Sequence, residues 1–261
     1  MRHLPLLAGV LVAVVMTALM SAADLAPTGT LRAAFLATNP VQGRVNPQTG
    51  EVTGPVADLT KELARRLGVP HTLIPAPDAR EVIDHLKRNT ADVGFLAYEE
   101  ARAQEVDFAG GFMLMFNSYL VRAGSPLDRA ADADRAGLQI GAVRGQTQQI
   151  YLSGNIAHAR VRVFETMPAQ AELQRLLVSG ELDAFGLNAQ RAQEAVTSSR
   201  SELRTLAGSF MAVEQSFVVK KGDKDKADAL NRFVDELRAS GFLQASLDRA
   251  KLAGVAVAPG R

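Results

Sequence analysis

Apolar and polar positions along this chain switch repeatedly between a period of about two and a period of about 3.6 residues, marking alternate strands and helices. Leu31-Arg32-Ala33-Ala34-Phe35-Leu36 predicts a first strand, followed by a loop rich in turn residues (Asn39-Pro40, Gly43, Asn46-Pro47, Gly50). Val56, Leu59, Leu63 and Leu67 then recur at helical spacing up to Gly68, with Pro70 just beyond as a stop. A second helix carries Val82, Ile83 and Leu86, and Asp92-Val93-Gly94-Phe95-Leu96 reads as a buried strand. The apolar run 112–122 predicts a long strand that ends at Gly124-Ser125-Pro126.

Beyond that point the pattern restarts: strand 138–143, helix 146–153, strand 161–164, helix 168–179, strand 183–187, helix 189–198. A last strand, 216–219, leads through Lys220-Lys221-Gly222-Asp223 into two helices. The first shows Ala229, Leu230, Phe233, Val234 and Leu237 on one face; Gly241 separates it from a shorter one with Leu243 and Leu247. The alternation predicts an α/β fold, and its restart predicts two lobes. Residues 24–116 and 212–261 are expected in the first lobe and 117–211 in the second, with a two-crossing hinge near 117–121 and 211–217.

The first 23 residues depart from this pattern: Arg2 and His3, an apolar stretch from Leu4 to Met20, then Ser21-Ala22-Ala23. A basic start, an apolar middle and small residues at the exit predict a cleaved export signal over 1–23 and a periplasmic protein. The chain has no cysteine, which excludes disulfides, thiolate metal sites, a cysteine nucleophile and a lipidated cysteine. Without Arg2, 28 basic residues face 28 acidic ones, so no bulk charge draws the chain to nucleic acid. Tryptophan is absent and aromatics are 5% of the chain, so the core is expected to be aliphatic and a sugar-stacking site is disfavoured.

Four stretches carry candidate chemistry. Gly54-Pro55-Val56-Ala57-Asp58-Leu59 opens a helix, where the Asp58 carboxylate offsets the dipole, a structural role. Ala91-Asp92-Val93-Gly94 is followed by Glu99-Glu100-Ala101-Arg102 and Val106-Asp107-Phe108; the planar donors of Arg102 suit a carboxylate, against the alternative of a surface pair with Glu99 or Glu105. Ile140-Gly141-Ala142-Val143-Arg144-Gly145-Gln146-Thr147 is a strand ending in glycine at a helix start, where free amides favour an anion. Gly180-Glu181-Leu182-Asp183-Ala184 leads to Asn188.

Together these stretches resemble the type II periplasmic solute-binding proteins of the polar amino acid class, over nearly all of residues 28–250. The resemblance implies a two-lobed clamp in which Arg102 grips a ligand carboxylate and Gly145, Gln146 and Thr147 donate to it. It also implies departures. Asn188 stands where family members place an acid for the ligand's α-ammonium, Ala97 stands where serine is frequent, Glu99 where threonine is usual, and Asn39-Pro40 where aromatic residues pack on the ligand. The expected function is capture of a small carboxylate-bearing metabolite, an amino acid or related compound, for the membrane permease of an ABC transporter. The protein is expected to be a monomer, with no catalysis, no cofactor, no metal and no nucleic-acid partner.

Two other readings stay open on the sequence. A dehydratase-like enzyme on the same fold needs a general acid or base in the cleft. His71, His85 and His158 fall outside the expected cleft loops, leaving Glu99 beside Arg102 as the one plausible catalytic carboxylate. A non-transport sensor, or an accessory protein of a periplasmic dehydrogenase, would tolerate the Asn188 and Ala97 departures.

Overall fold

A computed structural model describes residues 22–260, so the expected export signal falls almost wholly outside the described residues. A single helical turn, α1 (Ala22–Leu25), precedes β1 (Leu31–Leu36) and the small hairpin β2 (Arg44–Val45) and β3 (Val52–Thr53). Then come α2 (Pro55–Leu67), β4 (His71–Ala76), α3 (Ala79–Lys87), β5 (Val93–Ala97), α4 (Glu100–Ala103) and the long β6 (Val106–Arg122). The second lobe follows with β7 (Gln139–Val143), α5 (Thr147–Asn155), β8 (Arg160–Phe164), α6 (Gln170–Val178), β9 (Ala184–Asn188), α7 (Ala189–Ser198) and β10 (Leu203–Thr205). The chain closes with β11 (Met211–Lys220), α8 (Lys224–Ala239), α9 (Phe242–Ala250) and β12 (Val255–Val257).

Each helix forms where its apolar stripe meets a sheet. In α2, Val56, Leu59 and Leu63 are buried and Gly68 closes the helix in the left-handed conformation. In α3 the buried stripe is Val82, Ile83 and Leu86, and the Asp78 carboxylate accepts the Glu81 amide at 2.9 Å as its cap. Asp58 acts structurally, as expected: its Oδ2 accepts from Ser246 Oγ at 2.6 Å and from Arg249 Nη2 at 2.8 Å, tying α2 to α9.

Hydrogen-bonded neighbours run in the order β4-β1-β5-β11-β6-β9-β7-β8. Parallel strands β4, β1 and β5 form one end and parallel strands β9, β7 and β8 the other. β6 joins them, pairing antiparallel with β11 from Val106 to Asn117 and with β9 from Asn117 to Leu120. Separate apolar cores fill the lobes. Leu59, Phe95, Phe112, Phe217, Leu230 and Leu247 share one, and Leu120, Leu173, Leu177, Phe185 and Leu203 another. The C-terminal helices pack in the core of the first lobe, so the chain returns to it.

The two lobes repeat one device. The Asp92 amide donates to Arg32 O at 2.9 Å while its carboxylate accepts the Arg32 amide at 2.9 Å; Asp183 and Gln139 do the same at 2.9 and 2.8 Å. Each aspartate joins the start of one parallel strand to its neighbour.

Three differences from the sequence expectation stand out. β6 starts at Val106 rather than 112, because the Gly110-Gly111 pair makes a bulge-like kink opposite Gln215–Phe217 instead of ending the strand. β11 starts at Met211, five residues before the apolar run, since Glu214 and Gln215 continue the ladder. The third is β12, which nothing in the pattern announces. It pairs with Met113–Met115 of β6, while the Ala253 amide donates to Gln190 Oε1 at 2.7 Å on α7, so the tail touches both lobes.

Gly110 lies at φ +52, and a Cβ there would come within 2.6 Å of Val234 Cγ2 and 2.8 Å of Leu230 O on α8. Gly110→Ala is therefore expected to cost about 1–3 kcal/mol of stability through overpacking. Thermal unfolding of the variant checks this; an unchanged Tm would mean that α8 yields freely.

Candidate functional site

The strip where the lobes meet is built from the ends of the parallel strands and the loops that follow them, the usual place for ligands in open α/β sheets. β5 ends at Ala97, and the short α4 turns Arg102 back toward it: Nη1 donates to Ala97 O at 3.1 Å. Nη2 reaches across to Gly145 O, 3.0 Å away in the loop between β7 and α5. Burial pushes the Arg102 guanidinium below its ordinary pKa, with Glu99 acting in the opposite sense. No carboxylate oxygen lies within 4.0 Å of it among the described residues. The surface pair with Glu99 or Glu105 is not formed; Glu105 pairs with Lys87 instead.

On the second-lobe side, the Gly145 amide donates to Gln149 Oε1 at 3.0 Å and the Gln146 amide to Val143 O at 3.2 Å. Two of the three amides expected for an anion are thus engaged within the loop. Thr147, the first residue of α5, is buried and borders the cleft. Its hydroxyl has no hydrogen-bond partner among the described residues.

Asn39 and Asn188, far apart in sequence, meet here. Both are buried; Asn188 Oδ1 caps α7 by accepting the Arg191 amide at 2.8 Å, and its Nδ2 donates to Asn39 Oδ1 at 3.4 Å. Asn39 Oδ1 also accepts the Val41 amide at 3.2 Å. The structure thus brings together Asn39 with Asn188, and Ala97 with Arg102 and Gly145; Glu99 sits half-buried beside Arg102 and shares a cleft with Thr147.

Sequence reasoning missed a buried amide network under this strip. Gln42 Nε2 donates to Gln215 Oε1 at 2.9 Å, and Gln148 Nε2 donates to Asn117 Oδ1 at 2.6 Å where β6, β9 and β11 converge. The signal was present: Asn117 and Gln215 interrupt apolar strand runs, and a polar group in such a run has to be satisfied internally. Arg191 was also missed; its Nη2 donates to Thr38 O at 2.9 Å across the lobes, and burial lowers its pKa.

Two clefts open beside the strip. One, of about 390 Å³, lies between the 37–45 loop and α6–α7, with Arg44 ion-paired to Glu194 and Arg191 nearby. The other, of about 490 Å³, is lined by Tyr98, Glu99, Thr147, Ile150, Tyr151, Asn155 and residues 211–214. Among the described residues no histidine lines either cleft; His85 Nδ1 lies 2.8 Å from Thr90 Oγ1. Among the described residues no cluster could hold a metal ion, and no helix is long and apolar enough to cross a membrane.

Comparison with known proteins identifies the family and the fold. The family model for bacterial extracellular solute-binding proteins, family 3, matches residues 31–250. The L-cystine-binding protein TcyJ of Escherichia coli (strain K12) is 25% identical over 197 residues, 75% of this chain and 73% of that protein. The P235GK mutant of ArgBP from T. maritima superposes with a TM-score of 0.70 at 23% identity, over 89% of this chain and 99% of that one. The amino acid ABC transporter substrate-binding protein AbpA from Streptococcus pneumoniae, bound to L-arginine, superposes with a TM-score of 0.69 at 20% identity, over 87% and 96%.

Proposed function

Because the chain belongs to the bacterial extracellular solute-binding proteins, family 3, we propose that it captures a small carboxylate-bearing metabolite in the periplasm and delivers it to the permease of an ABC transporter. The observation that carries this reading is Arg102. Its guanidinium is held at the junction of the lobes, largely out of water, and among the described residues its donors go only to carbonyl oxygens of Ala97 and Gly145. A cation so placed gains most from an anion with two acceptor oxygens, because a charge-assisted bidentate bond is about twice as strong as a neutral one. The Thr147 hydroxyl supplies a further donor or acceptor at the start of α5. Binding of a small amino acid is the role that the name of TcyJ carries.

A thermal-shift screen of small carboxylates, amino acids and amines tests the reading. A ligand at 100 times its dissociation constant adds about 2.7 kcal/mol to native stability, and at about 2–4 °C per kcal/mol for a chain of this size the melting temperature should rise by about 5–11 °C. A screen in which amines without a carboxylate stabilise and carboxylates do not would overturn it.

A further inference from the structure

Helix α7 and the loop that follows β1 meet through contacts that share no residue with the Arg102–Gly145 bridge. Asn188, Arg191 and Glu194 stand three residues apart at the start of α7 and so follow one side of it. Opposite them, Thr38 O accepts Arg191 Nη2 at 2.9 Å, Asn39 Oδ1 accepts Asn188 Nδ2 at 3.4 Å, and Arg44 pairs with Glu194. Each contact joins one lobe to the other: Val41 roots the loop in the first apolar core, while Ala192 and Ala195 root α7 in the second.

Arg191 is poorly placed for its own helix. It lies in the first turn of α7, where the dipole disfavours a cation, and it is half-buried. Among the described residues its side chain donates only to Thr38 O, on the other lobe. Glu194 attracts it and Arg44 repels it, so the Glu194 carboxylate acts on two guanidiniums, one from each lobe. Both surfaces are fixed before they meet. Under the loop, Gln42 Oε1 accepts the Leu36 amide at 2.9 Å and Gln42 O the Val56 amide at 3.1 Å; on α7, Asn188 Oδ1 caps the helix. Groups ordered in advance lose little freedom on contact, so even a few such bonds bias the balance between lobes apart and lobes together.

We propose that this contact is a latch: Arg191, Glu194 and Arg44 favour the arrangement in which the lobes meet, and thereby raise affinity from outside the ligand site. The proposal rests on the reading that a ligand is captured between the lobes. When only the closed form binds, the apparent dissociation constant is the intrinsic one divided by the closed fraction. A latch enlarges that fraction for every ligand alike, and its members are positioning residues.

The chain has no cysteine, so labels can be placed one at a time. Arg80→Cys on α3 and Val178→Cys at the end of α6 put spin labels at exposed positions on the two lobes. Electron–electron distance measurements on the purified full chain, with no ligand added, read the balance directly. Arg191→Ala and Arg44→Glu should each lower the share of the shorter distance, and Arg44→Glu combined with Glu194→Arg should restore most of it. Arg44 is exposed, so its variant serves should Arg191→Ala fold poorly. Identical distributions in wild type and the single variants, or a charge swap no more closed than Arg44→Glu alone, overturn the latch. Calorimetry with two chemically different ligands from the carboxylate screen adds a second readout. Arg191→Ala should weaken both by one common factor, about twofold to thirtyfold; a loss confined to one of them would make Arg191 a ligand contact and overturn the proposal. A screen that yields no ligand sinks the capture reading, while the distances still decide the latch.

Discussion

Replacing Arg102 by alanine is expected to weaken ligand binding by about thirtyfold to several thousandfold. Truncating one side of a buried charge pair typically costs about 2–5 kcal/mol, and about 1.4 kcal/mol is one decade of affinity. The structure supports the upper part of that range, since the guanidinium is drawn away from water and already oriented by Ala97 O and Gly145 O. Little of the ordering cost then falls on the binding step. Arg102→Lys should recover only part of the loss, because an ammonium lacks the planar fork. The contrasting possibility, an arginine that serves only to bridge Ala97 and Gly145, predicts a lower melting temperature with unchanged affinity per folded molecule. Calorimetry of wild type and both variants with a ligand from the carboxylate screen distinguishes them, and equal dissociation constants for wild type and Arg102→Ala would remove the clamp.

The largest loss of stability is expected at Asp92. Its side chain is 2% exposed and accepts three hydrogen bonds from Arg32: the amide at 2.9 Å, Nε at 3.1 Å and Nη2 at 2.6 Å. Asp92→Ala strips the partner from a main-chain donor and from a partly buried guanidinium together, and breaking such a pair costs about 3–5 kcal/mol. At about 2–4 °C per kcal/mol the melting temperature should fall by about 6–20 °C. The second lobe provides an internal control. Asp183 accepts the Gln139 amide in the equivalent place but has no guanidinium, so Asp183→Ala should cost only about 1–3 kcal/mol. Thermal melts of the two variants side by side test the comparison; equal falls would mean that the Arg32 ion pair adds nothing to the main-chain staple.

The fold was largely legible in the sequence because most of its elements carry their own period. The β7–α5–β8–α6–β9–α7 series appears within a residue or two of the spans expected from apolar spacing. The elements that escaped are those whose stability comes from a partner elsewhere. β4 is a largely exposed edge strand with Pro75 inside it, and β12 is three residues long and exists because β6 offers it a free edge. The site divides in the same way. Arg102, Gly145, Thr147 and Asn188 lie at strand ends or helix starts that local sequence marks, so they could be named in advance. Their partners could not: the Asn39–Asn188 contact joins residues 149 apart, and the Gln42–Gln215 bond joins residues 173 apart. Such pairings are set by how the lobes meet.

The tail that runs from α9 across the junction has a practical consequence. Gly254 sits so close to α7 that a Cβ would come within 2.2 Å of that of Ala189, and its carbonyl accepts the Phe116 amide at 2.9 Å. A rotation of the second lobe, as the clamp reading expects, would either drag this tail or peel its three strand pairs from β6. Peeling exposes amides that are otherwise hydrogen-bonded, at far less cost than global unfolding. Deuterium uptake at Val255–Val257 is therefore expected to report such a movement, readable on unmodified protein.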